Sequence, residues 1–343
     1  MSRKVTVRAA GVALRLDLRT LGVTALLVVA AAAMVAWTVS AVGVRLPFAD
    51  IAEILGGGGR RADRFILLDL RLPRVTLALL AGAAFAMSGA VFQSLSRNPL
   101  GSPDIIGFTT GAASGAVFAI LVLGAGPGGA AAGAIAGGLV TALIVYGLAA
   151  LGGGAIRRLV LVGIGISAML VAVNSYLISR ARLEEAQAAA TWLVGTLNGR
   201  TWQYVRLLGL ALLVLTPLLL LLSRRLTMLE LGDDSARALG VRVDRTRPLL
   251  VLLAVAVCAV ATAATGPVAF VALSAPQIAK RLTGSATPQL LPSAVTGALL
   301  MVLSDFVAQR LLAPAQLPVG VITGAVGGVY LAWLLSVQWR RGS

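Results

Sequence analysis

Residues 21–42 read LGVTALLVVAAAAMVAWTVSAV, 22 positions without a charged side chain. The hydrocarbon core of a bilayer is about 30 Å thick, and about 20 apolar residues cross it as a helix. The stretch is long enough for that. A secretory signal peptide has an apolar region of roughly 7–15 residues, so this one reads instead as a first spanning helix. Ahead of it stand Arg3, Lys4, Arg8, Arg15 and Arg19, which place the N-terminus on the inner side.

Moving outward, the same pattern recurs near 70–95, 105–123, 128–151, 157–179, 202–222, 248–264, 266–282, 290–312 and 317–338, ten crossings in all. The pair around Gly266-Pro267 also reads as one long kinked element. Composition agrees: 58% of residues are hydrophobic and 12% charged, against roughly 25% charged in a soluble domain. Runs of helix length argue against a β-barrel. The expected fold is therefore an all-α polytopic membrane protein. It has a single transmembrane domain over 21–338, a cytoplasmic segment 1–20 and a cytoplasmic tail 339–343.

A net charge of +16 would suit nucleic acid, but the arginines sit between the apolar runs. There they set topology and meet anionic headgroups. Eighteen of the 29 basic residues fall in expected inner segments: 1–20, 96–104, 152–158, 223–247, Lys280-Arg281 and Arg340-Arg341. Arg45, Arg60, Arg61, Arg64, Arg71, Arg74, Arg180, Arg182, Arg200, Arg206 and Arg310 fall outside, where topology does not explain them. The chain has no histidine and one cysteine, Cys258. Internal disulfides, His/Cys metal clusters and His-based catalysis are thereby excluded. No G-x-x-x-x-G-K-[ST] stretch occurs, so ATP hydrolysis is not expected of this chain.

Three connections are too long for simple turns: 43–69, 180–201 and 223–247. The last is the most polar part of the chain. Met228–Leu239 reads as a helix, a break at Gly232 and a second helix opening on Asp233-Asp234, with Gly240 as its stop. Such a pair reads as a surface for another protein, with a solvated linker as the alternative. In 97–104, two prolines and a glycine break the helices sharply, which reads either as a plain tight turn or as a rigid one that projects Asn98 and Leu100 toward a pathway mouth, and Asp104 is placed to cap the third span. Gly107, Gly111 and Gly115 share one helical face, as do Gly320, Gly324 and Gly328, which suits close packing or a subunit interface. Asp305 lies near the outer end of the ninth span, with Gln309 one turn on and Arg310 adjacent, so structural pairing is as good a reading as function. Ser88-Gly89-Ala90-Val91 and Thr265-Gly266-Pro267-Val268 begin related stretches 177 residues apart, in spans of opposite direction. Inverted five-helix repeats would produce that.

The stretches Arg71-Leu72-Pro73-Arg74, Gly82-Ala83-Ala84, Ser88-Gly89, Phe92-Gln93 and Arg97 to Asp104 together resemble the FecCD-type permeases. These are membrane subunits of ABC importers for iron–siderophore, haem and cobalamin. Leu231-Gly232-Asp233-Asp234, Ala238-Leu239-Gly240-Val241, Gly266 to Phe270, Ala275-Pro276 and Leu317 to Val321 agree in the same order and spacing. The run from Asn98 to Phe108, with Gly232-Asp233-Asp234, Trp192 and Gly195 to Gly199, looks most like the ferric-enterobactin branch.

The resemblance implies a type II importer permease: ten helices per subunit, two subunits around one path and two copies of an ABC ATPase beneath. The second permease is expected to be a related, non-identical chain, and an extracytoplasmic siderophore-binding protein delivers cargo. Leu231, Gly232, Asp233, Asp234, Arg237, Leu239 and Gly240 would seat in the ATPase, and Asn98, Pro99 and Leu100 would form the inner gate. Arg71, Arg74 and Arg310 would receive the binding protein, while Asn174, Gly320, Gly324 and Gly328 would line the path. No cofactor is expected on this chain; ATP and Mg belong to the ATPase. Gln277 stands where the family often has histidine, so hydrogen bonding there survives and titration does not. The expected activity is import of a ferric siderophore across the cytoplasmic membrane. Haem or cobalamin import is the alternative, and an ion-coupled secondary transporter, with Asp305 as its one candidate carboxylate, is a remoter one.

Overall fold

The computed structural model describes residues 4–9, 12–43, 45–150 and 155–342. Arg3, the last residue of the expected span 128–151 and residues 152–154 of the expected inner loop 152–158 lie outside the described residues. A ribbon of two antiparallel strands, β1 (Lys4–Ala9) and β2 (Val12–Asp17), pairs Lys4 with Asp17 and Ala9 with Val12. Asp17 then caps α1 (Leu18–Ala41), accepting from the Arg19 N–H at 3.0 Å. The long connection that follows carries α2 (Phe48–Leu55), α3 (Arg61–Arg64) and a π-helical stretch, Phe65–Arg71, which runs straight into α4 (Leu72–Ser96). Beyond it come α5 (Phe108–Leu121), α6 (Pro127–Ala150), α7 (Ala155–Arg180), α8 (Leu183–Leu193) and α9 (Trp202–Glu230). The chain closes with α10 (Asp233–Ala238), α11 (Val243–Thr265), α12 (Val271–Thr283), α13 (Leu290–Arg310) and α14 (Val319–Gly342).

Ten of these helices coincide with the ten expected crossings, and the fold is that of an all-α polytopic membrane protein. Among the described residues, seven helices are long and apolar enough to cross a membrane, while α5 and Val319–Trp333 are shorter apolar helices. The 13 residues of α12 span only about 20 Å. Gly266-Pro267 is thus a true break between two helices. Gly266 and Phe270, both at positive φ (77° and 68°), divert the chain for five residues before α12 can start. Because α14 runs on to Gly342, Arg340 and Arg341 belong to its last turn instead of to a separate tail.

The centre of the bundle is α4, packed between α11, α12 and α13. Its sequence explains why: small residues let backbones close in where lipid supplies no hydrophobic drive. A Cβ on Gly82 would lie 2.2 Å from the Gly297 carbonyl oxygen, and one on Gly89 would lie 1.8 Å from that of Ala272. The Gly89 contact joins the two stretches related by the internal repeat, and the Gln93 side-chain amide adds a 2.9 Å bond to the Leu273 carbonyl. Around the rim, α7 and α9 present Leu161, Met169, Leu210, Leu213 and Leu221 outward, as helices bordering lipid do. Gly89→Ala should destabilise the purified protein by about 3 kcal/mol, the upper end of ordinary overpacking. Gly147→Ala, with nothing within 4 Å of the new Cβ, should leave the thermal midpoint in detergent unchanged. Equal midpoints for the two variants would refute this account of the α4–α12 joint.

Candidate functional site

Most of the candidate side chains gather at the two ends of the bundle. At one end α9 stops at Glu230, and Gly232 takes φ 110° and ψ 157°, a region that glycine alone occupies comfortably. The chain then winds the single turn of α10, and Gly240, at φ 82°, releases it into α11. Buried Ala236 seats this hairpin on the bundle, while Leu231 and Leu239 stand 65% and 55% exposed. Arg237 reaches Asp234 at 3.3 Å and Asp244 at 3.7 Å, bracing α10 against the base of α11. Such exposed pairs fix the register of the hairpin more than they stabilise it.

Beside the hairpin lies the turn after α4. Arg97 takes a left-handed conformation (φ 51°), and the Asn98 side-chain oxygen accepts from the Leu100 N–H at 2.9 Å. Gly101 closes the turn with an N–H bond to the Asn98 carbonyl at 3.0 Å. Asn98 is exposed, and Pro99 and Leu100 are half-buried. A cavity of about 310 Å³ opens next to them, lined by Gln93, Arg97, Asn98, Glu230, Gln277 and Lys280. Gln277 donates through Nε2 to Oε1 of Gln93 at 2.6 Å, so the hydrogen-bonding role left to it is the one it fills. Asp104 does not cap α5, whose N-cap is Gly107 without a side-chain bond. Its Oδ2 instead accepts from the Phe270 N–H at 3.3 Å, across 166 residues, because the break before α12 leaves that amide free of a helix.

At the opposite end Arg74 forms three bonds of 2.8–3.1 Å to the carboxylate of Asp305 and a fourth, at 2.8 Å, to Gln316. Gln309 completes the group with a 2.8 Å bond to Asp305. The partner of Asp305 is therefore Arg74, from a helix 231 residues earlier, and not the adjacent Arg310. A carboxylate 1% exposed and held in this way is a structural ion pair, which removes the ion-coupled alternative's single candidate. Arg71 donates to the Val39 carbonyl, and the exposed Arg310 donates to the Ala41 carbonyl and lies 5.9 Å from the Phe306 ring. A cavity of about 270 Å³ lies here, with Arg71, Arg74, Gln309 and Gln316 in its wall. Nearby, Arg200 stacks 4.5 Å over Tyr204, and burial pulls its pKa below the ordinary arginine value. The turn Gly195–Gly199 is threaded between α11 and α14: Thr196 N–H bonds the Thr265 carbonyl at 2.8 Å and Gly320 N–H that of Gly195 at 3.2 Å.

The two glycine stripes part company. Those of α5 are filled from within, Gly111 against Thr141 and Gly115 against Gly133. On α14, Gly320 abuts the Val194 carbonyl, but Gly324 and Gly328 meet nothing within 4 Å and leave a bare strip on the outside of the chain. Asn174 is not on that free surface; it is 5% exposed, turned into the chain with its Oδ1 unbonded.

Residues 25–337, nearly the whole bundle, match the FecCD transport family. The chain belongs to that family. Among its relatives, the ferric enterobactin transport system permease protein FepG of Escherichia coli (strain K12) is 45% identical, covering 94% of this chain and 98% of its own. The achromobactin transport system permease protein CbrC of Dickeya dadantii (strain 3937) is 39% identical, covering 84% of each chain. A solved structure described as an inward-facing conformation of a putative metal-chelate type ABC transporter superposes with a TM-score of 0.79 at 30% identity, over 92% of this chain and 98% of that one.

Several contacts at the two ends are not foreseen from the sequence. Arg97 reads as a topological charge and a motif residue and Arg247 as a topological charge, yet both engage Asp233. Gln93 appeared only in a motif, yet it binds both Leu273 and Gln277. Local spacing does not reveal the partners of Arg97 and Gln93, which lie more than a hundred residues away, nor the fold of the hairpin that brings Arg247 back to Asp233 across 14 residues.

Proposed function

We propose that this chain is the membrane-spanning permease subunit of an ABC importer that carries a ferric siderophore across the cytoplasmic membrane, powered by a separate ATPase. The hairpin carries the reading. Two exposed leucines on a braced polar loop are the pattern of a contact waiting for another protein. The arginines of 223–247 put that loop, and with it both termini, in the cytoplasm. ATP and Mg then belong to two ATPase copies seated on Leu231–Gly240. At the far end, Arg71, Arg74 and Arg310 offer positive charge to acidic residues of a siderophore-binding protein; Arg310 is the most exposed of the three. The bare strip at Gly324 and Gly328 faces a second, related permease subunit across the path.

The cargo is iron already chelated. Among the described residues no three His, Cys, Asp or Glu side chains converge to hold a metal, and a chelate needs no such set. An outer arginine-rich vestibule concentrates anionic ferric complexes, and the relatives named for enterobactin and achromobactin support a siderophore.

Reconstitution tests this directly. Native-membrane pull-down on the chain should yield an ATPase and a second permease by mass spectrometry, and vesicles holding the complex should take up radiolabelled ferric enterobactin only with ATP. Accumulation by the purified chain alone would overturn the proposal. Replacing Leu231 and Leu239 together with aspartate should weaken ATPase co-purification about tenfold, equivalent to about 1.4 kcal/mol, with the permease still in the membrane.

A further inference from the structure

The carboxylate of Asp233 holds two arginines from two other elements. Arg247, one turn into α11 and 14% exposed at its side chain, is 2.5 Å away; Arg97, in the turn after α4, is 3.4 Å away. Arg97 directly precedes Asn98, and its backbone is already committed to a left-handed conformation (φ 51°) that ends α4. Its guanidinium also comes to 3.8 Å from where a Cβ on Gly232 would stand. The first residue of α10 and the first residue of the gate turn are thus in direct contact, with the base of α11 as the third member.

We infer that Asp233 is a positioning residue that transmits movement: its carboxylate ties the hairpin to the gate turn through Arg97, while Arg247 keeps it aimed. This rests on the reading of Leu231–Gly240 as the seat of the ATPase. The asymmetry between the two bonds suits the task. Arg247 is largely shielded and makes the short contact, so it behaves as a fixed pivot. Arg97 is half exposed and makes the longer contact, so it can lengthen or release as the hairpin tilts. Since Asn98 and Leu100 are wound into the same turn by the Asn98–Leu100 bond, a shift at Arg97 reaches both. The other hairpin pairs, Arg237 with Asp234 and Asp244, stay within the hairpin and its own helix, and reach no gate residue.

The test uses the assembled complex in vesicles with radiolabelled ferric enterobactin, read as uptake per ATP hydrolysed. Arg97→Ala should lower that ratio about tenfold while ATPase co-purification stays unchanged, and Arg97→Lys should recover most of it. The double variant Arg97→Ala/Asp233→Ala should be no worse than the poorer single one, because both remove the same link. A wild-type ratio in Arg97→Ala, or strictly additive losses in the double variant, would overturn the inference and leave the seating of the ATPase intact. Normal co-purification and normal uptake after aspartate replaces Leu231 and Leu239 would instead remove the reading on which it rests.

Discussion

Gly232→Val should reduce uptake more than about 100-fold while the protein continues to insert and accumulate in the membrane. The reason is conformational. At φ 110° and ψ 157° a β-branched residue carries strain of about 3 kcal/mol, which shifts the balance from the native hairpin toward unstrained alternatives more than about 100-fold. No helix of the bundle depends on this residue, so the loss is confined to α10 and what it touches. Gly232→Ala should fall between wild type and valine, because its single methyl faces the same backbone restriction with less crowding. Radiolabelled uptake normalised to membrane-bound protein measures the effect. Normal transport by the valine variant would move the point of energy input elsewhere in the chain.

The second large effect is expected at the other end. Arg74→Ala strands Asp305, 1% exposed, with Gln309 as its remaining partner, and removing one member of a buried pair costs about 3–5 kcal/mol. Thermal unfolding in detergent should show it as a sharply lowered midpoint. Substituting both partners with apolar residues, Arg74→Met with Asp305→Leu, should restore most of the stability, since a buried pair and a packed apolar pair are often nearly equivalent. The double variant also separates two roles of Arg74. If it is stable yet imports poorly, the guanidinium contributes to reception of the binding protein as well as to folding. If it is stable and imports normally, docking rests on Arg71 and Arg310.

Much of this architecture is legible in the order of the residues. Uncharged runs of helix length announce the crossings, and the Gly232 break with Gly240 as stop announces the hairpin, because each is a local property of the chain. Three features are not local. The ends of α5 and α12 are set by where the chain must bend to reach Gly163, Trp192 and Asp104, so both helices are shorter than their apolar runs. Asp305 chooses Arg74 over the neighbouring Arg310 because a helical neighbour at i+5 points to a different face, whereas α4 brings a guanidinium alongside. The lining role of Asn174 is implied by the family resemblance alone, and nothing local to it shows that its position on α7 leaves it 5% exposed within the chain. Tertiary contact decides such matters, and a single sequence does not display it.

The close approaches at Gly82–Gly297, Gly89–Ala272 and Gly115–Gly133 have one more consequence. Backbones that touch leave no lumen between these helices, so nothing as bulky as an iron chelate can thread through them. In the proposed assembly the corridor is then a property of paired subunits and vanishes when they part. On that proposal, a cell that loses either half of such a pair loses the route outright, and an excess of the other half offers no passage between these helices.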